Sequence, residues 1–367
     1  MTERILLVEP QAPESIFGGR QQLASLNREV LARLFGDKCL SYNIPVMDLR
    51  SLSSVIKRQF GYLDGLSNAV VAEVLEIVEQ ENVKQVFIDG SNLGKLAQAI
   101  KKRFPAIRII TFCHNVESRF FWGAFRSKPS LRTFGVAFAN YFAERAASRF
   151  SDVLLCLTRR DADQFRKIYG ARKIEITPLC IKDDFEQTPD DTAPPLEPGY
   201  ALFVGGTFYA NVDGVRWFIK HVMPRVELKL CIAGQGFEQY RQELEAVPGV
   251  KVLGRVGNLG PLYRHAAFAI APIFDGSGMK TKVSEALMYG KPILATSEAV
   301  VGYEDVIDQM GAVCATAEQF VEAINLLVDK PVKPYETRLR SLYLDHYSMI
   351  AAQRRMSKVF SVMDTPR

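Results

Sequence analysis

Long apolar runs are missing from this chain. No stretch approaches the roughly 18 consecutive apolar residues that would cross a bilayer, so any membrane contact is expected to be peripheral. Cysteine is sparse and scattered. The six thiols, Cys39, Cys113, Cys156, Cys180, Cys231 and Cys314, form no CxxC pair and no knuckle, which excludes the usual zinc and dithiol redox centres. Most lie in apolar runs such as Leu154-Leu155-Cys156-Leu157 and read as buried, reduced thiols of a cytosolic protein. Histidine is scarce as well, with four in the chain. No cluster at ligand spacing is visible, so no metal site and no required divalent ion or other cofactor is expected. Residues 5–8 are too short an apolar run for a secretory leader, and Glu9 closes it. Low-complexity tracts and short repeats are also absent. A cytoplasmic protein is expected, at most peripheral on the cytoplasmic face of a membrane.

What is present suits two ordinary globular domains. The chain has 367 residues, 48% hydrophobic and 24% charged, which is long for a single core. Short apolar runs alternate with helical segments throughout. Strands are expected over 5–8, 85–88, 108–112 and 153–157, with helices over 21–34, 69–78, 93–103 and 161–169. One long helical stretch, 118–149, is expected to break at Gly123, Pro129 and Gly135. Residues 187–199 carry four prolines and no periodicity, and read as a linker. The pattern then restarts, with strands over 201–204, 228–233, 250–253, 267–273 and 292–296. The fold class is α/β, two tandem doubly wound domains. The expected division is 1–186, a linker at 187–199, and 200–334, with a last helix within 335–367 packing back on the first domain.

Ligands of such sheets bind beyond the carboxyl ends of the strands. Glycines gather there in the second half, at 205-206, 234, 236, 254, 276 and 278. The most informative segment is Asp275-Gly276-Ser277-Gly278-Met279-Lys280-Thr281-Lys282-Val283-Ser284-Glu285-Ala286-Leu287. It follows a strand and opens a helix, so its amides can form an anion nest. Lys280 and Lys282 fall where the helix dipole disfavours cations. Either both point to solvent, or a doubly charged diphosphate sits between them. Glu285, three residues after Lys282, is either half of an intrahelical ion pair or an acceptor for ribose hydroxyls.

Residues 276–293, followed by Ala-Thr-Ser-Glu-Ala-Val-Val-Gly-Tyr-Glu at 295–304, resemble the C-terminal signature of the group 1 glycosyltransferases, the large retaining family 4 with the GT-B fold. Phe203-Val204-Gly205-Gly206 with Asn211, Ile232-Ala233-Gly234-Gln235-Gly236, and Val252-Leu253-Gly254-Arg255-Val256 fit the same pattern, as do Gly18-Gly19 and His114-Asn115-Val116-Glu117 in the first half. The resemblance implies a nucleotide-sugar donor, a UDP- or GDP-sugar. Lys282 would bind its diphosphate with Lys280 and the backbone near Gly278 and Met279. Glu285 would hold the ribose, and Arg255 and Val256 the base. Gly206 and Asn211 would help bind the donor. Gly18 and Gly19 would admit the phosphate and acceptor, and His114 would touch the transferred sugar. The acceptor would be a glycan or a lipid-linked sugar, transfer would proceed with retention, and the pathway would be polysaccharide or glycoconjugate synthesis.

The chain departs from that family in three places, one of them Thr177-Pro178-Leu179-Cys180 where a Pro-Asn-Gly is usual. Ser277 stands where a first glutamate is common, with Asp275 two residues away. Thr207, Phe208 and Asn211 occupy the region of an Arg and Lys pair. These departures motivate a second reading, a non-catalytic GT-B subunit supporting an active transferase. A nucleotide-sugar epimerase of similar shape fits the signature less well, and no GxGxxG follows the first strand to suggest a dehydrogenase.

Positive charge is concentrated between 101 and 150, where ten Lys or Arg face two acids, Glu117 and Glu144, in a chain of net charge +5. Within 119–150 the bases are interleaved with Phe, Tyr and Trp. No nucleic-acid fold signature accompanies them, so no nucleic-acid partner is expected. The open readings are a core-packed helix with solvated bases, or an interfacial helix on an anionic membrane.

Overall fold

The computed structural model describes residues 3–11, 19–46, 59–185, 196–328 and 330–361. Gly18 and most of the expected linker lie outside the described residues. The chain divides into two compact units, one of Met1–Leu179 with Ala352–Arg367 and one of Cys180–Ala351.

The first unit is built on six parallel strands: β1 (Ile5–Pro10), β2 (Cys39–Ile44), β3 (Gln85–Asp89), β4 (Arg108–Cys113), β5 (Val153–Cys156) and β6 (Ile174–Ile176), in the order β2-β1-β3-β4-β5-β6. The central strands are buried on both faces, which explains their unbroken apolar runs. Leu6, Val8, Val86, Ile88 and Ile109 pack against Val70, Val74 and Val78 of the helix Asn68–Gln80 and Leu96 and Ile100 of Gly94–Arg103. Ser67 caps the former helix by accepting a hydrogen bond from Val70 N, at 3.2 Å.

The expected stretch 118–149 is two helices, Glu117–Ser127 and Leu131–Phe150. The chain breaks at Pro129, and Ser130 starts the second helix with a reciprocal capping box to Thr133. Gly123 and Gly135 do not break it. Neither faces a tight contact, and their flexibility costs too little to interrupt a helix.

The second unit repeats the design with β7 (Tyr200–Val204), β8 (Leu230–Ala233), β9 (Val250–Gly254), β10 (Ala266–Ala271), β11 (Ile293–Ala295) and β12 (Gly311–Val313), ordered β12-β11-β10-β7-β8-β9 and parallel throughout. Its core includes Phe203, Phe218 and Phe320, the last two meeting edge to face at 5.7 Å.

The single helix expected near the end is also two, Thr337–His346 and Met349–Ser361. Ser348 stands between them, its Oγ accepting from Ala351 N at 3.2 Å. The helix Thr337–His346 is tied within its unit by Arg340, which pairs with Asp183 and donates to Met288 O at 3.0 Å. Tyr343 adds a hydrogen bond to Ile181 O at 3.0 Å.

Each sheet reverses its strand order once, between β1 and β3 in the first unit and between β7 and β10 in the second. A crevice forms where strand order reverses, and Gly206, Lys280, Lys282 and Glu285, which follow β7 and β10, lie at the second of these places.

Candidate active site

In the second unit, β7 and β10 deliver two loops to the reversal point. Next to them, the ends of β7 and β8 approach so closely that a Cβ on Gly234, just after β8, would lie 1.8 Å from Gly205 O, just after β7. Only glycine fits there. After β10 the chain forms the glycine loop, with Gly276 at φ +138° and Gly278 at φ +65°, and then enters the helix Thr281–Met288. No side chain caps that helix, leaving the positive end of its dipole toward the loop.

Lys282 is buried, and its Nζ donates to Asn211 Oδ1 at 2.6 Å and sits 4.2 Å from the centre of the Phe203 ring. Asn211 Nδ2 in turn donates to Gly206 O at 2.8 Å. Among the described residues no carboxylate lies within ion-pair distance of Lys282. Burial lowers its pKa to about 7, with Glu285 opposing the shift and Lys280 adding to it.

Glu285 is half-buried overall, but its Oε2 is fully enclosed near the Tyr263 hydroxyl. Neither atom completes a hydrogen bond of good geometry. Burial raises the Glu285 pKa to about 6 against the pull of Lys282.

Lys280 is placed differently from Lys282. It is the helix N-cap, and its Nζ reaches Gly278 O at 2.9 Å and Glu298 Oε1 at 3.2 Å. The Tyr303 hydroxyl donates to Lys280 O at 2.8 Å. In this arrangement Lys280 staples its own loop. Met279 is buried against Gly302, whose φ of +91° and lack of a side chain make room for it. Asp275 accepts from the Tyr209 hydroxyl at 2.7 Å and from Gly276 N at 2.7 Å. At the end of β9, Arg255 is exposed and Val256 half-buried, and Arg255 N donates to Glu238 Oε1 at 2.8 Å.

The first unit gathers a different cluster. His114 follows β4 and is buried, with Nε2 2.9 Å from Asp89 Oδ1 at the end of β3. Asn27 Nδ2 donates to the same oxygen at 3.2 Å. Burial works against the Asp89 charge, but His114, Arg20 and Asn27 outweigh it and hold the carboxyl below its ordinary value. Arg20 pairs with Asp64 at 2.7 Å, and Asn92 Nδ2 donates to Asp64 at 2.5 Å. Arg28 pairs with buried Glu9 at 2.8 Å. Glu9, Arg20, Arg28, Asp64 and Asp89 border a cleft of about 510 Å³ at the ends of β1, β2 and β3. Gly19 is the first residue of the helix Gly19–Phe35, whose next residue is Arg20.

Beside this cluster lies a buried carboxylate that sequence reasoning counted only as charge. Glu144, on Leu131–Phe150, accepts from Glu117 N at 2.7 Å, Ser118 N at 3.1 Å, Ser91 Oγ at 3.2 Å and Tyr169 OH at 2.8 Å. It caps the helix Glu117–Ser127 from a neighbouring helix. Burial nonetheless raises its pKa to about 7. Burial also raises that of Glu117, with Arg20 and His114 pulling the other way.

Among the described residues, no three or more His, Cys, Asp or Glu gather as a metal site, and no helix is long and apolar enough to cross a membrane. The described cysteines are free thiols, all buried except half-buried Cys39.

Comparison with known proteins adds a family to this geometry. Residues 198–330 match the family described as glycosyl transferases group 1. No curated protein matches the chain in sequence. Among solved structures it is similar to sucrose-phosphate synthase from Thermosynechococcus elongatus, with 12% identity and a TM-score of 0.68 over 98% of this chain and 99% of that one. It is also similar to the lipopolysaccharide outer core galactosyltransferase WaaB, with 14% identity and a TM-score of 0.65 over 98% and 99%. A third is Anabaena HepE in complex with UDP, with 12% identity and a TM-score of 0.65 over 98% and 100%. At such identities the structural likeness speaks for the fold alone, and the family match is confined to residues 198–330. Residues 198–330 match a group 1 glycosyltransferase domain, and the fold of the chain is GT-B.

Proposed function

We propose that the chain transfers a sugar from a UDP- or GDP-sugar to a glycan or lipid-linked acceptor, with retention. The observation that carries this reading is Lys282, a buried amine beside an uncapped helix N-terminus and a glycine loop, with no carboxylate in ion-pair range among the described residues. A diphosphate would give that amine its counter-charge. The UDP complex of HepE supports a nucleotide at this kind of fold. Glu285, half-buried and three residues beyond Lys282, would take the ribose hydroxyls. Arg255 and Val256 would bound the base.

In the reaction, the anomeric C–O bond to the diphosphate breaks and the acceptor oxygen bonds to that carbon from the same face. The acceptor proton passes to the departing phosphate oxygen. Lys282 and the loop amides stabilise the charge developing on the diphosphate. His114, oriented by Asp89, would contact the transferred sugar. The cleft of the first unit, whose guanidiniums are already paired with carboxylates, suits a hydroxyl-rich acceptor.

The helices Glu117–Ser127 and Leu131–Phe150 support peripheral docking on an anionic membrane. Phe120, Trp122, Leu131, Phe134 and Phe138 are exposed there beside exposed Arg119, Arg126, Lys128 and Arg132. This placement fits a lipid-linked acceptor and work in surface glycan synthesis on the cytoplasmic face.

The test is release of nucleoside diphosphate from a panel of UDP- and GDP-sugars by the full chain, with and without lipid-linked saccharides. Turnover of one donor supports the proposal. Nucleotide binding without turnover of any donor would favour the reading as a non-catalytic subunit.

A further inference from the structure

The positive charge concentrated around 101–150 is not all on the aromatic helices. Part of it lines a second cleft of the first unit, of about 830 Å³, at the amino ends of β4 and β5. This is the end of the sheet opposite the strand termini that carry Asp89 and His114. Its walls are the edge strand β6 and the helix Met349–Ser361. Six of its lining side chains are Lys or Arg and two are acids.

One of those acids is already spent. Asp152 pairs with Lys101 at 2.7 Å and accepts from Ile109 N at 2.7 Å. Arg108 is fixed at the cleft by donating to Val359 O at 2.7 Å, at the end of the helix Met349–Ser361. Arg172, Lys173 and Lys358 are exposed, and among the described residues no carboxylate pairs with any of them. The backbone of Lys173 is held by Leu154 N, which donates to its carbonyl at 2.9 Å. Apolar side chains of Val153, Ile174 and Met356 complete the lining.

A concave site of this size is in the range that encloses small ligands. Surplus cations directed into such a site concentrate anions. Guanidinium and ammonium groups together suit phosphate oxygens, the former by paired hydrogen bonds. We infer that this cleft, bounded by Arg108, Arg172, Lys173 and Lys358, is a second binding site that takes a phosphate-bearing ligand, either a soluble phosphate ester or the headgroup of an anionic lipid. Burial lowers the pKa of Arg108, with Asp152 opposing the shift, and a bound anion would offset the cost of keeping that guanidinium charged.

The site is independent of the donor site, and its test is arranged accordingly. Pyrophosphate is titrated calorimetrically into the full chain and into Arg172→Glu/Lys358→Glu, both carrying Lys282→Met to suppress the donor site. Both reversals are on exposed side chains, and Arg172→Gln/Lys358→Gln provides a milder pair should reversal disturb folding. Either pair is expected to weaken pyrophosphate binding at least tenfold, with an unchanged melting temperature. Co-sedimentation with phosphatidylcholine vesicles, with and without phosphatidylglycerol, separates the sources. Loss of phosphatidylglycerol-dependent binding in the reversal variant assigns the cleft to a lipid headgroup. Loss of pyrophosphate binding alone assigns it to a soluble ester. Unchanged binding of both probes in both variant pairs overturns the inference.

Discussion

Replacing Lys282 by methionine should separate stability from activity. Burial brings the lysine from its ordinary 10.5 down to about 7, which corresponds to roughly 5 kcal/mol at about 1.4 kcal/mol per pKa unit. The hydrogen bond to Asn211 and the Phe203 ring offset part of that cost. Methionine fills nearly the same volume without a charge to desolvate. Such replacements are often neutral or stabilising by about 1–4 kcal/mol. Lys282→Met is therefore expected to be as stable as the wild type at pH 7, or more stable, by chemical denaturation. The sign with pH follows from proton counting. Between about pH 7 and 10.5 the unfolded chain holds the Lys282 proton and the fold does not. The contribution of this residue to stability therefore rises with pH across that window, and the variant loses that rise. Turnover should move the other way. Loss of a fixed donor to a developing negative charge costs about 10²–10³ in kcat, roughly 3–4 kcal/mol. The assay is nucleoside diphosphate release alongside urea melts at pH 7 and 9. A variant that turns over within threefold of wild type, or that is clearly less stable at pH 7, refutes the reasoning.

Four further outcomes are expected. Glu144→Ala leaves four donors without their acceptor and should lower stability by about 2–4 kcal/mol in a denaturant titration. The Glu144 carboxyl binds its proton up to about pH 7 in the fold. The wild type should therefore lose stability as pH rises from about 4.5 to 7, and Glu144→Gln should flatten that slope. Lys291 is buried and donates to Arg264 O, Ala266 O and Lys333 O at 3.0, 2.7 and 2.6 Å. Lys291→Met should cost about 2–3 kcal/mol, in contrast to Lys282→Met, because here every proton of the ammonium is matched. Asp89→Asn should leave the melting temperature near wild type while lowering kcat about 10–100-fold, since His114 would lose the carboxylate that orients it.

The candidate site of the second unit was legible because its residues are consecutive. A glycine loop, two lysines and a glutamate within residues 276–285 carry their geometry in their spacing, whatever the rest of the sheet does. Even there, spacing could not tell Lys282, which faces Asn211, from Lys280, which binds its own loop and Glu298. That distinction depends on where β7 and β11 bring their following loops. The cluster of the first unit was mostly illegible. Asp89 reaches His114 because β3 and β4 are register neighbours, with Asp89 opposite Phe112. Arg20 meets Asp64 and Asn92 across 44 and 72 residues of chain. Glu144 sat in a helical stretch as one acid among many bases, and only packing reveals that it caps another helix. Strand β2 was missed because Cys39–Ile44 alternates weakly and is half-buried at a sheet edge, without the unbroken apolar run of the central strands. The helix break at Pro129 was visible, while those at Gly123 and Gly135 were wrongly expected, since a single glycine weakens a helix without ending it.

The most direct measurement is calorimetric titration of UDP and of GDP into wild-type protein and Lys282→Met at pH 7. The account predicts that one of the two nucleotides binds the wild type and binds the variant at least a hundredfold more weakly. Equal affinity of wild type and variant for the nucleotide that binds, or no binding of either nucleotide to the wild type, would contradict it.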